Sequence, residues 1–236
     1  MTGAHTHTIP PARVPRISWA QRSVMENTAF TATPLVPEIE IRLLRDGSRL
    51  WCHFSDDTQA DASQRPYWAF AWSGGQALAR YVLDNRHLVK GRQILDFGTG
   101  CGIAAIAAAM AGARRVTASD TDPLSLEALR LNARRNGVQV RGVCADLIYE
   151  INPGWDVVLA GDIWYDSRMF RHGLRWLRGL AASGVLVLTG DPGRPYSPSK
   201  GLERLTEYPC RSCPDLEHHN HQRVSVFKVL GNAGLT

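Results

Sequence analysis

Residues 94–105 read ILDFGTGCGIAA. An apolar run ends at Asp96 and Phe97. Gly98, Gly100 and Gly102 follow, and an alanine-rich stretch then opens a helix. Glycines at this spacing permit a tight turn and let a ligand approach backbone N–H groups. No Gly-Lys-Ser/Thr follows, which excludes a P-loop, and the third glycine comes one residue too early for a dinucleotide fingerprint. Asp96 beside the loop would repel a pyrophosphate and attract a cation.

Outward from this loop, strand and helix patterns alternate. RQILDF (92–97), RRVTASD (114–120), VQVRGVCAD (138–146), WDVVLAGD (155–162) and GVLVLTGD (184–191) read as strands. Between them, GIAAIAAAMAGA (102–113), DPLSLEALRLNARRNG (122–137) and SRMFRHGLRWLRGLAA (167–182) read as helices, and SGGQALARYVLDN (73–85) precedes them with Ser73 as candidate cap. Such alternation predicts an α/β protein with a doubly wound, mostly parallel sheet and helices on both faces. LERLTEYP (202–209) and RVSVFKVL (223–230) read as two further strands, an antiparallel hairpin at one sheet edge.

Ahead of this core, residues 1–16 are proline-rich and polar and are expected to be a disordered tail. Residues 17–65 form an extension. SWAQRSVMENTAF (18–30) predicts a short helix capped by Ser18, and EIEIRLL (38–44) and RLWCHF (49–54) predict a hairpin across Asp46-Gly47. Residues 66–236 are the main domain.

The 236 residues suffice for one sizeable core, and no apolar run is long enough to span a membrane. The N-terminus lacks the apolar stretch of a secretory signal, so a cytoplasmic enzyme is expected. The net charge of +5 would help capture an acidic partner, although a solvated basic surface explains it equally well. There is no dense Lys/Arg stripe, so stable nucleic-acid binding is not expected. Five scattered cysteines and no secretion signal argue against a disulfide framework.

Three carboxylates stand at or just past the ends of three consecutive strands: Asp96, Asp120 and Asp146. In a doubly wound sheet they face one crevice. Asp120 suits two ribose hydroxyls, and Asp146 can accept from an exocyclic adenine amine. A ligand with a ribose, an adenine, a positive charge and no phosphate fits, which points to S-adenosylmethionine. The loop residues Gly98, Thr99 and Gly100 complete its site. The plainer alternative is a turn of glycines with capping aspartates.

GDIWYD (161–166) closes the fourth parallel strand next to the first, at the switch point where ligands bind. Asp162 is therefore expected beside the transferred methyl as well as the cofactor. A free lysine has a pKa of about 10.4, so only roughly one in 2,500 is neutral at pH 7. A dry pocket lowers that pKa. There the Asp162 carboxylate or carbonyl accepts the amine hydrogens, Trp164 and Tyr165 wall the pocket, and the Tyr165 hydroxyl fixes the geometry. Most of the rate would come from positioning. Asp162 is read as functional, Asp166 as a helix cap.

DFGTGCG, SDTDP and GDIWYD resemble the seven-strand class I methyltransferases, a Rossmann-like fold. The Asp-x-x-Tyr pattern, here Asp162 to Tyr165, is similar to that of a subgroup of protein lysine methyltransferases. PYWAFAWSGGQALARYVLDN (66–85) and GDPGRP (190–195) resemble the electron transfer flavoprotein beta-subunit lysine methyltransferases. The resemblance runs from about residue 66 to 195. It implies sheet order 3-2-1-4-5-7-6 and Trp72 and Gly74 closing the cofactor site. It implies as substrate a lysine of the flavoprotein β subunit, with the acidic ribosomal stalk protein as a further target of bacterial relatives. A monomer is expected. Tyr67, Trp68, Phe70 and Trp72 also read as a plain hydrophobic lid. Asp191 and Arg194 either bind the protein substrate or form a structural loop salt bridge; both readings stand.

Cys210 and Cys213 with His218, His219 and His221 have only half of a zinc spacing, so no metal is expected. Cys101 has no nearby base in sequence to make it a nucleophile. Two other functions stay open. One is a methyltransferase acting on nucleic acid or a small molecule, disfavoured because no Asn-Pro-Pro-Tyr occurs. The other is a non-catalytic S-adenosylmethionine-binding protein, which would have no need of Asp162 and Tyr165.

Overall fold

A computed structural model describes residues 18–45, 65–210 and 222–231. The expected tail 1–16, the hairpin arm 49–54 with its Asp46-Gly47 turn, and Cys213, His218, His219 and His221 lie outside these residues.

Seven strands form one sheet: β3 (Gln93–Phe97), β4 (Arg115–Asp120), β5 (Arg141–Cys144), β6 (Val157–Gly161), β7 (Leu186–Asp191), β8 (Leu202–Pro209) and β9 (Arg223–Val229). Their order is β5-β4-β3-β6-β7-β9-β8. The first five run parallel, and β9 pairs antiparallel with both β7 and β8. This is the Rossmann-like class I methyltransferase arrangement, with the order that the resemblance implies.

Strand side chains alternate between two cores, as the period of two demands. Val157 and Leu159 of β6 join Ile94 of β3 and Leu188 of β7 under α2 (Ser73–Asp84) and α3 (Ile103–Met110). Val158 and Ala160 join Leu95 and Val187 on the other face, under α5 (Leu174–Ala182). Helices therefore cover both faces. α4 (Pro123–Arg135) starts as read: the Asp122 side chain accepts from Leu124 N–H, and Pro123 stands at the first helical position.

The extension begins with α1 (Trp19–Asn27), where the Ser18 hydroxyl accepts from Gln21 N–H. This helix stops short of the expected residue 30. Thr28–Ala32 is instead a strand, β1, pairing antiparallel with β2 (Glu40–Leu44). β-branched Thr28 and Thr31 with Phe30 favour that pleated state over a helix. The hairpin packs on α4. Asn132 Oδ1 accepts from Arg42 N–H at 2.8 Å, and Asn136 Oδ1 from Glu40 N–H at 3.1 Å. No helix among the described residues is long and apolar enough to cross a membrane.

Candidate active site

The site lies at the carboxyl ends of β3, β6 and β7. β7 ends in Gly-Asp, β6 ends in a glycine followed by Asp162, and Gly161 and Gly190 are register partners. The first turn of α2 rests on them backbone to backbone. A Cβ at Gly74 would lie 2.2 Å from the Gly190 carbonyl oxygen, and one at Gly190 would lie 2.1 Å from that of Gly74. Only glycine admits this approach. It brings Gly75 N–H to 2.8 Å from Asp162 Oδ2. The positive end of the helix thus faces a carboxylate. Trp72, not Ser73, is the residue at the N-cap, and it supplies no capping bond. Asp162, 87 residues away in sequence, takes over that duty.

Asp162 has φ of 57°, a left-handed conformation that aspartate tolerates better than most residues. The chain turns there, and the next side chains go inward. Trp164 is fully buried, with its indole N–H on Thr189 Oγ1 at 3.1 Å. It cannot wall an open pocket as expected, because it is part of the core under α5. Tyr165 is 62% exposed and stands at the rim. Asp166 caps the following turn, accepting from Met169 N–H at 2.7 Å.

The second oxygen of Asp162 holds Arg194, with Oδ1 to Nη2 at 2.7 Å. The Arg194 guanidinium also lies over the Trp72 ring, 4.9 Å from its centroid. Arg194 is thus paired with Asp162 and not with Asp191. Asp191 is buried and turns its own loop, accepting from Gly193 N–H at 3.1 Å and from Arg194 N–H at 3.3 Å. Burial pushes both carboxyls up from their ordinary range, against the pull of these donors. Neither points freely at a docking protein.

A small, partly open cleft lies beside Asp162. Trp72, Gly75, Asp96, Gly98, Gly100 and Asp162 are among its walls. Gly74 is not; it packs beneath. The loop is held from below by Ser119 O, which accepts from Thr99 N–H, and by Asn132, which donates to Cys101 O at 2.8 Å. Asp96 is 3% exposed and accepts from Thr99 Oγ1 at 2.5 Å and Ala105 N–H at 3.0 Å. Burial nevertheless raises its pKa to about 6. Cys101 lines the same cleft, but burial pushes its thiol up to about 12, so no thiolate is at hand.

Asp120 accepts from Gly100 N–H at 2.9 Å and from Asp122 N–H at 3.0 Å. A carboxylate has about four acceptor positions, so two stay open for hydroxyls. Asp146 accepts from Ile148 N–H and pairs with Arg168 at the start of the α5 segment, where it is exposed. Asp120 ends β4 and Asp146 follows β5, the next strands along the sheet, and neither is among the residues lining the cleft. Gly75, Gly161 and Gly190 escaped the sequence reading. The SGG pair and the twin Gly-Asp strand ends were the available signals. Among the described residues no group of His, Cys, Asp or Glu could hold a metal ion.

A family model described as Ribosomal protein L11 methyltransferase (PrmA) matches residues 76–163. The electron transfer flavoprotein beta subunit lysine methyltransferase of Rattus norvegicus is 40% identical over 190 residues, covering 78% of this chain and 73% of its own. The homolog of Caenorhabditis elegans is 32% identical over 241 residues, covering 91% and 98%. Among solved structures, TrmN from Thermus thermophilus superposes with a TM-score of 0.50 at 24% identity, covering 70% of this chain and 52% of its own, a likeness of fold.

Proposed function

The chain belongs to the electron transfer flavoprotein beta subunit lysine methyltransferase family, and from that premise we propose that it methylates a lysine of an electron transfer flavoprotein β subunit with S-adenosylmethionine. The observation that carries this reading is the cleft itself. It joins a glycine loop and buried Asp96 to Asp162, at the strand ends where α/β ligands bind. Acceptor-only side chains at Asp96, Asp120 and Asp146 fit a cationic, phosphate-free nucleoside. When bound, the cofactor supplies an electrophilic methyl group on sulfur.

The chain's own residues do the rest. Asp120 holds the ribose, Asp146 the adenine amine, and Thr99 and the loop glycines shape the floor. Asp96 attracts the positive end. Asp162 orients the acceptor amine, and Tyr165 and Trp72 enclose it from the rim. No nucleophilic residue is called for, so the rate comes from alignment and water exclusion. The protein is proposed to act as a cytoplasmic monomer. The +5 charge supports the acidic ribosomal stalk protein as a second substrate.

The test uses purified protein, methyl-labelled S-adenosylmethionine and separately purified flavoprotein, stalk protein and RNA. Label on a lysine of the β subunit, lost in Asp162→Ala and reduced in Tyr165→Phe, is the expected result. Label confined to RNA or small molecules would overturn the substrate class. Cofactor binding without label on any acceptor would overturn the catalytic reading.

A further inference from the structure

Asp162 presents a difficulty for the chemistry just proposed. An ionised carboxylate in a desolvated pocket attracts a lysine in its ammonium form, which has no lone pair to react. The structure gives that carboxylate a different cation. Arg194 and Asp162 are 14% and 9% exposed at their side chains, 2.7 Å apart, and Trp72 covers the guanidinium. Arginine stays charged at every working pH, whereas a lysine amine does not.

We propose that Arg194 is a positioning residue that occupies the ionic partnership of Asp162, so that the acceptor lysine reacts neutral. This rests on the lysine methyltransferase reading above. The seated lysine gives up its proton to bulk solvent before methyl transfer. The carboxylate, its charge already matched, keeps acceptor capacity for an amine N–H but no longer holds an ammonium.

The other charges around Arg194 fit this division. The first turn of α2, Ser73–Gly75, brings no titratable side chain, only its positive dipole end. Asp191, at the end of β7, is buried and engaged by backbone N–H groups. The glycine loop brings Asp96, held by Thr99 and Ala105, and the buried Cys101 thiol. Tyr67 and Tyr165 stand exposed at the rim, and Asp120 lies beyond the loop. Arg168 is engaged by Asp146. Among the described residues, Arg194 is therefore the cation placed to offset Asp162.

The test compares kcat against pH for the wild-type protein, R194K and R194Q, at saturating cofactor and β subunit. The kcat profile reports ionisations of the bound complex. In R194Q the acidic limb is expected to move up by about one pH unit, the size of a single neighbouring charge. The loss is then roughly tenfold below the limb and fades above it. R194K should restore the limb's position while turning over more slowly, since an ammonium cannot reproduce the planar stacked fork. A loss equal at every pH in R194Q would overturn the proposal and leave Arg194 a structural group.

Wild-type protein gives a second readout that needs no variant to fold. A peptide spanning the methylated lysine is compared with its norleucine counterpart for binding at pH 7. Equal or tighter binding of the neutral norleucine peptide is expected. Binding of the lysine peptide more than about tenfold tighter would mean that the ammonium is welcomed, and would overturn the proposal. Wild-type turnover in the same assays separates the two ideas: none on any protein lysine sinks both, whereas turnover with an unmoved limb sinks the role of Arg194 alone.

Discussion

Replacing Gly74 by alanine places a methyl carbon 2.2 Å from the Gly190 carbonyl oxygen and 2.6 Å from Asp162 Oδ2. The first obstacle is backbone of a central strand and cannot swing aside. Overpacking of a core contact costs about 1–3 kcal/mol. Pushing α2 away also lengthens the Gly75–Asp162 hydrogen bond, which is to a charged group and worth about 1.5–3 kcal/mol. Alanine returns roughly 0.5–1 kcal/mol by its better helix propensity. The net loss is about 2–5 kcal/mol. For a chain of this size each kcal/mol moves Tm by about 2–4 °C, so a mid-range loss lowers Tm by roughly 7–14 °C. Gly179→Ala is the control. It lies on α5 with nothing within 4 Å of an added Cβ, and it should stabilise by about 0.5–1 kcal/mol. Urea unfolding of both variants, with methyl transfer measured in parallel, reads out the contrast. Gly74→Ala within 1 kcal/mol of wild type and fully active would refute the idea that backbone contact sets the site.

Asp96 makes stability and cofactor affinity respond to pH in opposite directions. Its folded pKa of about 6 exceeds the ordinary 3.8, so the folded state binds the extra proton and stability falls as pH rises from about 4 to 6. At 1.36 kcal/mol per unit this is about 3 kcal/mol, and Asp96→Asn should remove that slope in urea titrations. S-adenosylmethionine affinity, measured calorimetrically, should instead weaken as pH drops below about 6, where the carboxylate is lost. Cys101, buried with its thiol at about 12, should resist iodoacetamide at pH 8 while exposed Cys144 reacts, as peptide mapping by mass spectrometry will show. Trp164→Phe loses the bond to Thr189 and should destabilise by about 1 kcal/mol with KM unchanged. Tyr165→Phe should do the reverse, slowing transfer with stability within about 0.5 kcal/mol.

The alternation from residue 92 to 191 made the mostly parallel sheet legible, because crossover helices leave few topologies, while its order followed from the family resemblance. The caps at Ser18 and Asp122 were legible for the same reason, since each acts on N–H groups two or three residues on. What escaped was set by contacts distant in sequence. Ser73 has the right chemistry for a cap but is not used as one, because Asp162 reaches the same helix from another strand. Residues 28–30 looked like the tail of a helix until β2 was beside them. Arg194 stands three residues from Asp191, and that proximity in sequence hid its ion pair with Asp162. Trp164 follows a residue whose φ of 57° reverses the side on which the next side chains emerge, and no local pattern announces such a turn.

The glycine contact beneath the cleft has a geometric consequence. Where α2 meets β6 and β7, the two layers touch with no side chain between them. There is no slack to take up, so that wall has a fixed height. Any change in the width of the opening falls to the loops that follow β6 and β7, residues 163–168 and 192–197, which are joined where Trp164 O accepts from Tyr196 N–H at 3.3 Å. Substitutions along those loops can reshape what is admitted, while the spacing between the glycine loop and Asp162 stays the same.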